Sequence, residues 1–454
     1  MAIISVISYS SLKDRFDAEF YKPEYIVTEE RVKKHPNAVK FKEIMEYITN
    51  GATPYMSVYD KGEVRFLTAE NIGELTILPE PLRYITTKDH TTLLKRAALK
   101  RGDLLITIKG RVGNATVVDS LQQETNINQD IARVVLKSGV NPYYVAVYFI
   151  SNIGRRYVER RATGLINPFI GLDNLKEFLI PMPPKEFQDR IEQIAKEAQL
   201  KFRQADQKYA EAKQLLHKIL GIDKLTFSGN KIYQVPYSKI NESMRLDAEY
   251  YQPKYEKIVN HLRTLNFEVK SLGEVVRISD DKIDPPQTPS KKFRYIELAD
   301  VNPATGEIEE CSEIRGFEAP SRARMLLRKG DVLVPSLSGS LDNVALVPEE
   351  LDNSIGSTGF FVINSELYYS EFLFLLFRCN LIKEQLKQKI AGTIMSAISQ
   401  KDFKDILIPV IPKEEQVEAA NLIKEFFKLR REGKELINQA KREVEQLIDL
   451  TIER

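Results

Sequence analysis

The chain has 454 residues, of which 43% are hydrophobic and 29% charged, and its formal net charge at pH 7 is +2. This length predicts two to four domains, and the near-neutral charge excludes a uniformly basic protein, so charge must be examined locally. No apolar run approaches the 18 residues of a membrane-spanning helix, and the composition is typical of a cytoplasmic globular protein.

The two cysteines and the four histidines stand apart from one another in the sequence. No CxxC, HxxxH or HExxH spacing joins them, so the sequence predicts neither a disulfide framework nor a zinc site. These residues are Cys311, Cys379, His35, His90, His217 and His261.

The two halves of the chain repeat each other. The segment RFDAEFYKPEY at 15–25 returns as RLDAEYYQPKY at 245–255, and LKRGDLLITIKGRVGNATVV at 99–118 returns as LRKGDVLVPSLSGSLDNVALV at 327–347. The order of the matches is preserved. The sequence therefore predicts two related units in tandem.

In chain order, each half has the same succession of expected elements. A short turn and a helix come first, short strands separated by Gly, Asn and Asp turns follow, and then an apolar helical region. The expected helices cover 24–34, 254–265 and the regions that begin at Tyr143 and Tyr368. The expected strands include VRFLTA from Val64, DLLITI from Asp103, VLVP from Val332 and GFFVI from Gly359.

A long helix is expected to close each half. From Pro184 to Leu220, apolar residues recur at alternating steps of three and four, as in one stripe of a coiled coil. In this stripe we expect Phe187, Ile191, Ile194, Ala198 and Phe202 to pack against a helix or dock a partner. The C-terminal stripe contributes Val417, Ala420, Ile423 and Phe427 and is expected to break at Arg430, Gly433 and Lys434.

The predicted fold class is α+β, with two tandem pseudo-repeated mixed α/β domains separated by two long antiparallel, coiled-coil-like helices. A short strand, FLIP or ILIP, is expected to end each domain at its proline. The predicted domain bounds are 1–183, the central helix 184–222, 223–411 and the C-terminal helix 412–454.

Two short patterns suggest enzyme chemistry, and for both a structural role is favoured. NPYY from Asn141 superficially resembles a methyltransferase loop, but no cofactor-binding glycine fingerprint accompanies it, so it predicts a helix start. The acidic cluster at Asp280, Asp281 and Asp284 has no counterpart in the first half and predicts a solvated loop. The sequence therefore indicates binding without catalysis.

Basic and amide side chains concentrate in both halves. Lysine and arginine at this density can neutralise phosphates, while arginine and amide groups can read base edges. The alternative is that these charges are simply solvated. In the first half the candidates are Lys95, Arg96, Lys100, Arg101, Lys109, Arg111, Asn114, Asn126, Asn128 and Gln129. In the second half they are Lys291, Lys292, Arg294, Arg324, Ser336, Ser338 and Asn343.

The chain resembles the specificity subunits of type I restriction-modification enzymes. The resemblance rests on the two junctions IPMPPKEFQ from Ile180 and IPVIPKEEQ from Ile408, and on the RGD and KGD turns at Arg101 and Lys329. An AxG turn similar to that of the family ends in Thr163 and Gly164, which adds Thr163 to the candidate DNA contacts. In the second half the turn is shifted by one residue.

This resemblance implies that each half is a target recognition domain for one half of a bipartite double-stranded DNA site. It also implies that the helices set the spacing and dock two methyltransferase subunits, and through them restriction subunits. The chain itself would be non-catalytic and bind no cofactor, because S-adenosylmethionine, ATP and Mg²⁺ would belong to the partners.

Two other function classes remain open from the residues. One is a two-domain scaffold that binds proteins, in which case the basic runs are solvated. The other is an autonomous nuclease or methyltransferase, which we expect to be contradicted by a lack of turnover in the purified chain.

Overall fold

The computed structural model divides the chain into two compact units. Unit 1 comprises Met1–Gln204 and Leu429–Arg454, and unit 2 comprises Ala205–Lys428. The structure describes residues 6–9, 12, 15–54, 62–164, 166–222, 232–309, 311–392 and 396–452, the last three of these as backbone only. Thr393, which belongs to the shifted turn, lies outside these ranges.

Unit 1 alternates short strands with short helices, as the turn signals predict. Its helices are α1 Pro23–Lys34, α2 Phe41–Ile44, α3 Thr87–Thr91, α4 Pro142–Ile150, α5 Asn152–Arg161 and α6 Leu172–Lys176. Its strands are β1 Ala38–Lys40, β2 Met45–Asn50, β3 Val64–Leu67, β4 Tyr84–Ile85, β5 Leu104–Thr107, β6 Ala115–Val117, β7 Thr125–Ile127, β8 Ile131–Leu136 and β9 Leu179–Pro181.

The core of unit 1 lies between an antiparallel sheet and α4. The strands run in the order β2-β8-β5-β6, and a second sheet has the order β4-β3-β7, while β1 pairs with β9. Every residue of α4 from Tyr143 onwards is buried, which explains its continuous apolar sequence.

The predicted helical region from Tyr143 consists of two helices, α4 and α5. The Ser151 hydroxyl accepts a hydrogen bond from the Gly154 amide at 3.1 Å, which begins α5 with a side-chain cap. A Cβ at Gly154 would lie 1.9 Å from the Tyr148 carbonyl oxygen. The close approach of the two helices therefore requires glycine at this position.

The long helix predicted from Pro184 to Leu220 is confirmed as α7, Lys185–Leu220, which begins directly after Pro183 and Pro184. Gln188, at the end of the first junction motif, fixes this start. Its side chain accepts from the Asn141 backbone amide at 3.3 Å and donates to the Pro183 carbonyl at 2.9 Å. The glutamine thus ties the first turn of α7 to the first turn of α4.

Unit 2 repeats this architecture. Its helices are α8 Tyr237–Ser243, α9 Pro253–Thr264, α10 Leu272–Val275, α11 Ser370–Phe377, α12 Asn380–Lys389 and α13 Gln400–Lys404. Its strands are β10 Glu268–Ser271, β11 Arg277–Ile278, β12 Lys292–Ile296, β13 Ser312–Arg315, β14 Ala323–Leu326, β15 Val332–Pro335, β16 Ala345–Leu346, β17 Ile355–Ser357, β18 Phe360–Asn364 and β19 Leu407–Val410. The helix α14, Lys413–Ile452, follows.

The first sheet of unit 2 has the strand order of its counterpart in unit 1, whereas the second repeats the order β4-β3-β7 and adds one strand, β14. One runs β11-β18-β15-β16, another β13-β12-β17-β14, and β10 pairs with β19. Gln416 is the structural equivalent of Gln188 in unit 2. Its side chain accepts from the Tyr369 backbone amide at 3.0 Å and donates to the Ile411 carbonyl. The proline of ILIP, Pro409, does not end its strand as expected, because Val410 still pairs with Glu268.

Within unit 1, the first part of α7 packs antiparallel to the last part of α14. The ion pairs Arg190–Glu443 at 2.9 Å and Lys201–Glu432 at 2.6 Å fix the register. Of the predicted stripe, Ile191, Ala198 and Phe202 are buried, while Phe187 and Ile194 are partly buried against the same core.

The helix α14 is continuous, as predicted, and its packed face includes Arg430 and Gly433, where the apolar stripe was expected to be interrupted. The Phe202 ring lies so close that a Cβ at Gly433 would meet it at 2.6 Å. The Arg430 guanidinium covers the same ring at 4.7 Å and is buried. Gly433 and Arg430 therefore form the surface on which Phe202 packs.

Within unit 2, Ala420 and Ile423 are buried together with Ala212 and Leu216, and Phe427 packs against this cluster. Val417 is 41% exposed and lies outside the core.

Candidate nucleic-acid interface

The RGD turn of unit 1 and the KGD turn of unit 2 are held by the same hydrogen bond from a backbone amide to the aspartate side chain. In unit 1 the Asp103 carboxylate accepts from the Lys100 amide at 2.6 Å, and Gly102 has φ 90°. In unit 2 the Asp331 carboxylate accepts from the Arg328 amide at 2.8 Å. Each aspartate holds the turn that precedes its strand, and the left-handed glycine makes the turn possible.

Beyond this turn the two aspartates have different partners. Asp103 forms a buried ion pair with Arg133, with Nε to Oδ2 at 2.5 Å. Asp331 instead accepts from the Asn364 amide at 3.1 Å. Burial raises the pKa of Asp331, although the hydrogen bonds from Arg328 and Asn364 oppose this shift.

Arg133 also shapes the surface above it, because its guanidinium donates to the Arg96 carbonyl at 3.0 Å. The resulting basic face is an open depression. It is lined by Tyr47, Thr92, Leu93, Lys95, Arg96, Ala98, Lys100 and Arg133.

The charges of this basic face are available to a ligand. Lys95, Arg96 and Lys100 are exposed, and in the described part of the chain their side chains form no ion pair. Tyr47 is 41% and Leu93 59% exposed beside them. Three exposed cations in one depression suit a phosphate backbone.

A second surface of unit 1, the loop surface, joins two distant chain segments. The Gly110 amide donates to the Pro168 carbonyl at 3.0 Å, and Thr163 and Phe169 exchange two backbone hydrogen bonds of 2.8 Å. Lys109 forms a β-bridge with Phe169. The structure therefore brings the predicted residues Lys109, Arg111 and Thr163 to one surface.

The loop surface of unit 2 has the same backbone pairing. The Ser338 amide donates to the Ser396 carbonyl at 3.0 Å, and Ala391 and Ala397 exchange backbone hydrogen bonds. Leu337 forms the bridge with Ala397 that Lys109 forms with Phe169. The side chains thus differ between the units while the main chain is held alike.

The predicted amides Asn114 and Asn343 have internal roles. Asn114 donates to the Ile72 carbonyl at 3.0 Å, and Asn343 donates to the Val301 carbonyl at 3.2 Å. These contacts hold equivalent loops in place.

Three further predicted amides lie on β7 and in the turn between β7 and β8. Asn126 is buried and donates to the Leu94 carbonyl, while Asn128 is buried and donates to Asp130. Gln129 is exposed, and its side chain accepts from Thr53. Of the three, Gln129 has the most accessible side chain.

The predicted cations of unit 2 are largely engaged. Lys292 pairs with Glu313 at 2.7 Å, and Arg324 pairs with Asp284. Arg294 donates to the carbonyls of residues 350 and 352. Lys291 lies 5.1 Å from the centre of the Phe293 ring.

Among the serines of unit 2, Ser336 donates to the Gly359 carbonyl at 2.9 Å, and Ser338 is exposed at the loop surface.

The patterns that suggested enzyme chemistry have structural roles. Asn141 caps α4 by accepting from the Tyr143 amide at 3.0 Å, and Asp284 is engaged by Arg324. No cluster of metal-ligating side chains occurs among the described residues. In the same residues, no helix combines the length and apolar character needed to cross a bilayer.

The fold and these surfaces define a protein with two tandem recognition units of one architecture. The sequence profile of the type I restriction modification DNA specificity domain matches residues 36–208 and again 265–446. The chain belongs to this family, as the junction motifs predicted.

Two relatives with this description cover nearly the whole chain, and a third covers 40% of it. A protein of Methanocaldococcus jannaschii named as the MjaX type I restriction enzyme specificity subunit is 22% identical over 450 residues, covering 95% of this chain and 97% of its own. The S subunit of a type I system from M. genitalium is 15% identical over 91% of this chain and 94% of its own, with a TM-score of 0.38. The HsdS subunit of Thermoanaerobacter tengcongensis is 36% identical over 40% of this chain and 47% of its own, with a TM-score of 0.33.

Proposed function

We propose that the chain reads a bipartite double-stranded DNA site, with each unit reading one half. The observation that carries this proposal is the loop surface, whose main chain is paired alike in both units while its side chains differ. Where unit 1 has Lys109 and Phe169, unit 2 has Leu337 and Ala397. Equal scaffolds with different side chains suit two different half-sites.

The two surfaces of unit 1 suit different parts of the duplex. The basic face, with Lys95, Arg96 and Lys100, would contact phosphates and fix the register. The loop surface, with Arg111 and Thr163, would address base edges.

In this proposal the chain is non-catalytic and acts in the cytoplasm. Two methyltransferase subunits dock on it, restriction subunits join through them, and α7 and α14 set the spacing of the half-sites. S-adenosylmethionine, ATP and Mg²⁺ are then bound by the partners. Half-sites about 34 Å apart would face the same side of the duplex and leave unread base pairs between them.

The test is to express the chain with its methyltransferase subunits and to map the methylated sites by sequencing. We expect one motif in two parts with an unread gap. Lys109→Ala together with Arg111→Ala should relax the preference in one part, and Ser338→Ala should affect the other part. A contiguous motif, or a change in both parts from either variant, would contradict the proposal.

A further inference from the structure

A loop that follows β5 in unit 1 and β15 in unit 2 carries part of each loop surface. These recognition loops are residues 108–114 and residues 336–344. In unit 2 the near end is held because the Ser338 amide donates to the Ser396 carbonyl, while the tip at Ser338 and Gly339 is exposed. A tip that reads a ligand is presented in one position only if its supports are fixed. The contacts at the far end of each loop therefore affect what the tip can reach.

The far end of the recognition loop in unit 2 is held by one guanidinium. Arg378, half-buried at the end of α11, donates through Nη1 to the carbonyls of Asp342 at 3.1 Å and Val344 at 3.4 Å. Its Nη2 donates to the carbonyls of residues 303 and 304, both at 2.8 Å, and its Nε donates to the Tyr209 hydroxyl on α7 at 2.8 Å. These hydrogen bonds are as many as the N–H groups of a guanidinium. Arg378 thus joins the loop to a neighbouring turn and to a long helix.

The surroundings of this guanidinium are closely packed. Lys383 on α12 forms an ion pair with the Asp342 carboxylate at the same end of the loop. A Cβ at Gly306, in the neighbouring turn, would lie 2.5 Å from the Phe374 ring and 2.8 Å from the Val344 carbonyl oxygen. Atoms in such a site cannot shift without displacing their neighbours. The far end of the loop is therefore fixed, while its tip is open to solvent.

Unit 1 makes the same connection with different residues. At the far end of its recognition loop, Arg155 on α5 donates to the Asn114 side-chain oxygen at 3.5 Å and forms an ion pair with Glu74. The Glu74 carboxylate also pairs with Lys441 on α14 at 3.2 Å. In each unit, therefore, an arginine joins the far end of the recognition loop through a neighbouring turn to a long helix.

The two arginines can affect base reading without contacting a base. A phosphate or a base edge would have to displace an internal hydrogen bond of Arg378 or the carboxylate of Glu74 from Arg155. A hydrogen bond to a base edge needs a donor–acceptor distance of about 2.7–3.2 Å, so a shift of about 1 Å in the tip removes most of its discrimination. The arginines therefore act on specificity through the loops that they hold.

We propose that Arg378 in unit 2 and Arg155 in unit 1 are positioning residues for base reading. Each fixes the far end of a recognition loop and thereby sets which base pair the exposed tip accepts. This inference rests on the proposed function, in which each loop surface reads one half-site. It adds two specificity determinants that lie outside the loop surfaces.

In the test, each full-length variant is expressed with the methyltransferase subunits, and methylation rates are measured at the cognate site and at sites with one mismatch. Arg378→Lys keeps the positive charge, but one ammonium group cannot replace the planar set of guanidinium donors. We expect the ratio of cognate to mismatched rates to fall about tenfold at the positions read by unit 2 and to stay within about twofold at the others. Arg155→Gln should give the reciprocal result. A purely structural role would lower methylation at all sites alike and leave these ratios unchanged.

A double variant shows whether Arg378 acts through the recognition loop. Ser338→Ala should relax the positions read by unit 2, and adding Arg378→Lys should change their ratio by less than about twofold more, because both substitutions act on one tip. Fully multiplicative effects would overturn the inference. If Arg378→Lys does not assemble, Lys383→Met, which removes the ion pair with Asp342, should relax the same positions.

The matched control is Lys254→Met, which breaks the 2.7 Å ion pair with Glu384 on α12. In the described part of the chain, this pair forms no hydrogen bond or ion pair with the recognition loop. The control should lower the thermal midpoint and leave the ratios at all positions unchanged. Unchanged ratios in Arg378→Lys and Arg155→Gln, with a wild-type motif in two parts, would overturn the inference alone. A contiguous wild-type motif would overturn the proposed function as well.

Discussion

Unit 1 and unit 2 share the order of their common strands, the turns before β5 and β15 and the junction glutamines, yet their charged side chains have different partners. In unit 1, Lys95, Arg96 and Lys100 extend from the basic face toward solvent. In unit 2, Lys292 and Arg324 are neutralised by neighbouring carboxylates. The comparison indicates that the main chain determines where a loop lies, while local pairing determines whether its charge is available to a ligand.

The largest expected effect concerns the two turn aspartates. Asp103→Asn places an amide against Arg133 and leaves a buried guanidinium unpaired, which should cost about 3–5 kcal/mol in the free energy of unfolding. Asp331→Asn should change it by less than about 1 kcal/mol, because Asn364 can rotate its amide to match. Chemical denaturation, with hydrogen exchange of β5 and β15, checks both. Equal effects would show that the two turns are energetically alike.

The next effect concerns DNA affinity. Replacing Lys95, Arg96 and Lys100 with alanine should lower affinity about 100-fold at physiological salt and flatten the slope of log K against log salt by about 2.7, if each contacts one phosphate. The measurement is a fluorescence titration of the assembled complex at several salt concentrations.

The control for that experiment is the alanine variant of the paired cations of unit 2, Lys292, Arg294 and Arg324. Its salt slope should change less, because those side chains already have partners in the fold. A slope that stays flat in the wild type would instead favour a protein-binding scaffold without DNA specificity.

A smaller effect is expected in α14, whose two stretches belong to different units. Gly433→Ala gains about 1 kcal/mol of helix propensity but forces a Cβ against Phe202, so we expect a net loss of about 1–2 kcal/mol. Adding Phe202→Leu should recover part of it. In the unit 2 stretch Asn421 is exposed, and Asn421→Ala should raise the free energy of unfolding by about 0.5 kcal/mol. Thermal denaturation distinguishes the two, and a stabilising Gly433→Ala would contradict the packing.

The sequence predicted the repeat, the helices and the buried stripe well, because each depends on local periodicity. It predicted that the apolar stripe is interrupted at Arg430, Gly433 and Lys434, but not that Phe202 packs on Gly433 and Arg430 there, because that contact depends on the facing helix. It also could not tell the available cations from the paired ones. Arg294 is engaged by carbonyls of residues 350 and 352, and that proximity exists only in the folded chain.

The smallest effect is in the pH dependence, where two buried carboxylates should act in opposite directions. Burial raises the pKa of Glu29 in unit 1, but Lys33, Arg161 and Arg160 outweigh it, so the pKa is lowered. Glu29 therefore contributes stability that is present above its unfolded pKa of 4.5 and lost as the pH falls through the folded value.

Asp331, whose pKa is raised, binds more protons in the folded than in the unfolded state just above pH 3.8. Its contribution to stability is therefore lost as the pH rises from 3.8 through the folded pKa. Glu29→Gln should reduce the loss of unfolding free energy that occurs as the pH falls below 4.5. Asp331→Asn should remove the loss of unfolding free energy that occurs as the pH rises from 3.8. Denaturation midpoints between pH 3 and 7 measure both slopes. If the slopes had the same sign, the two carboxylates would have equivalent surroundings, and the contrast between the units would not extend to their interiors.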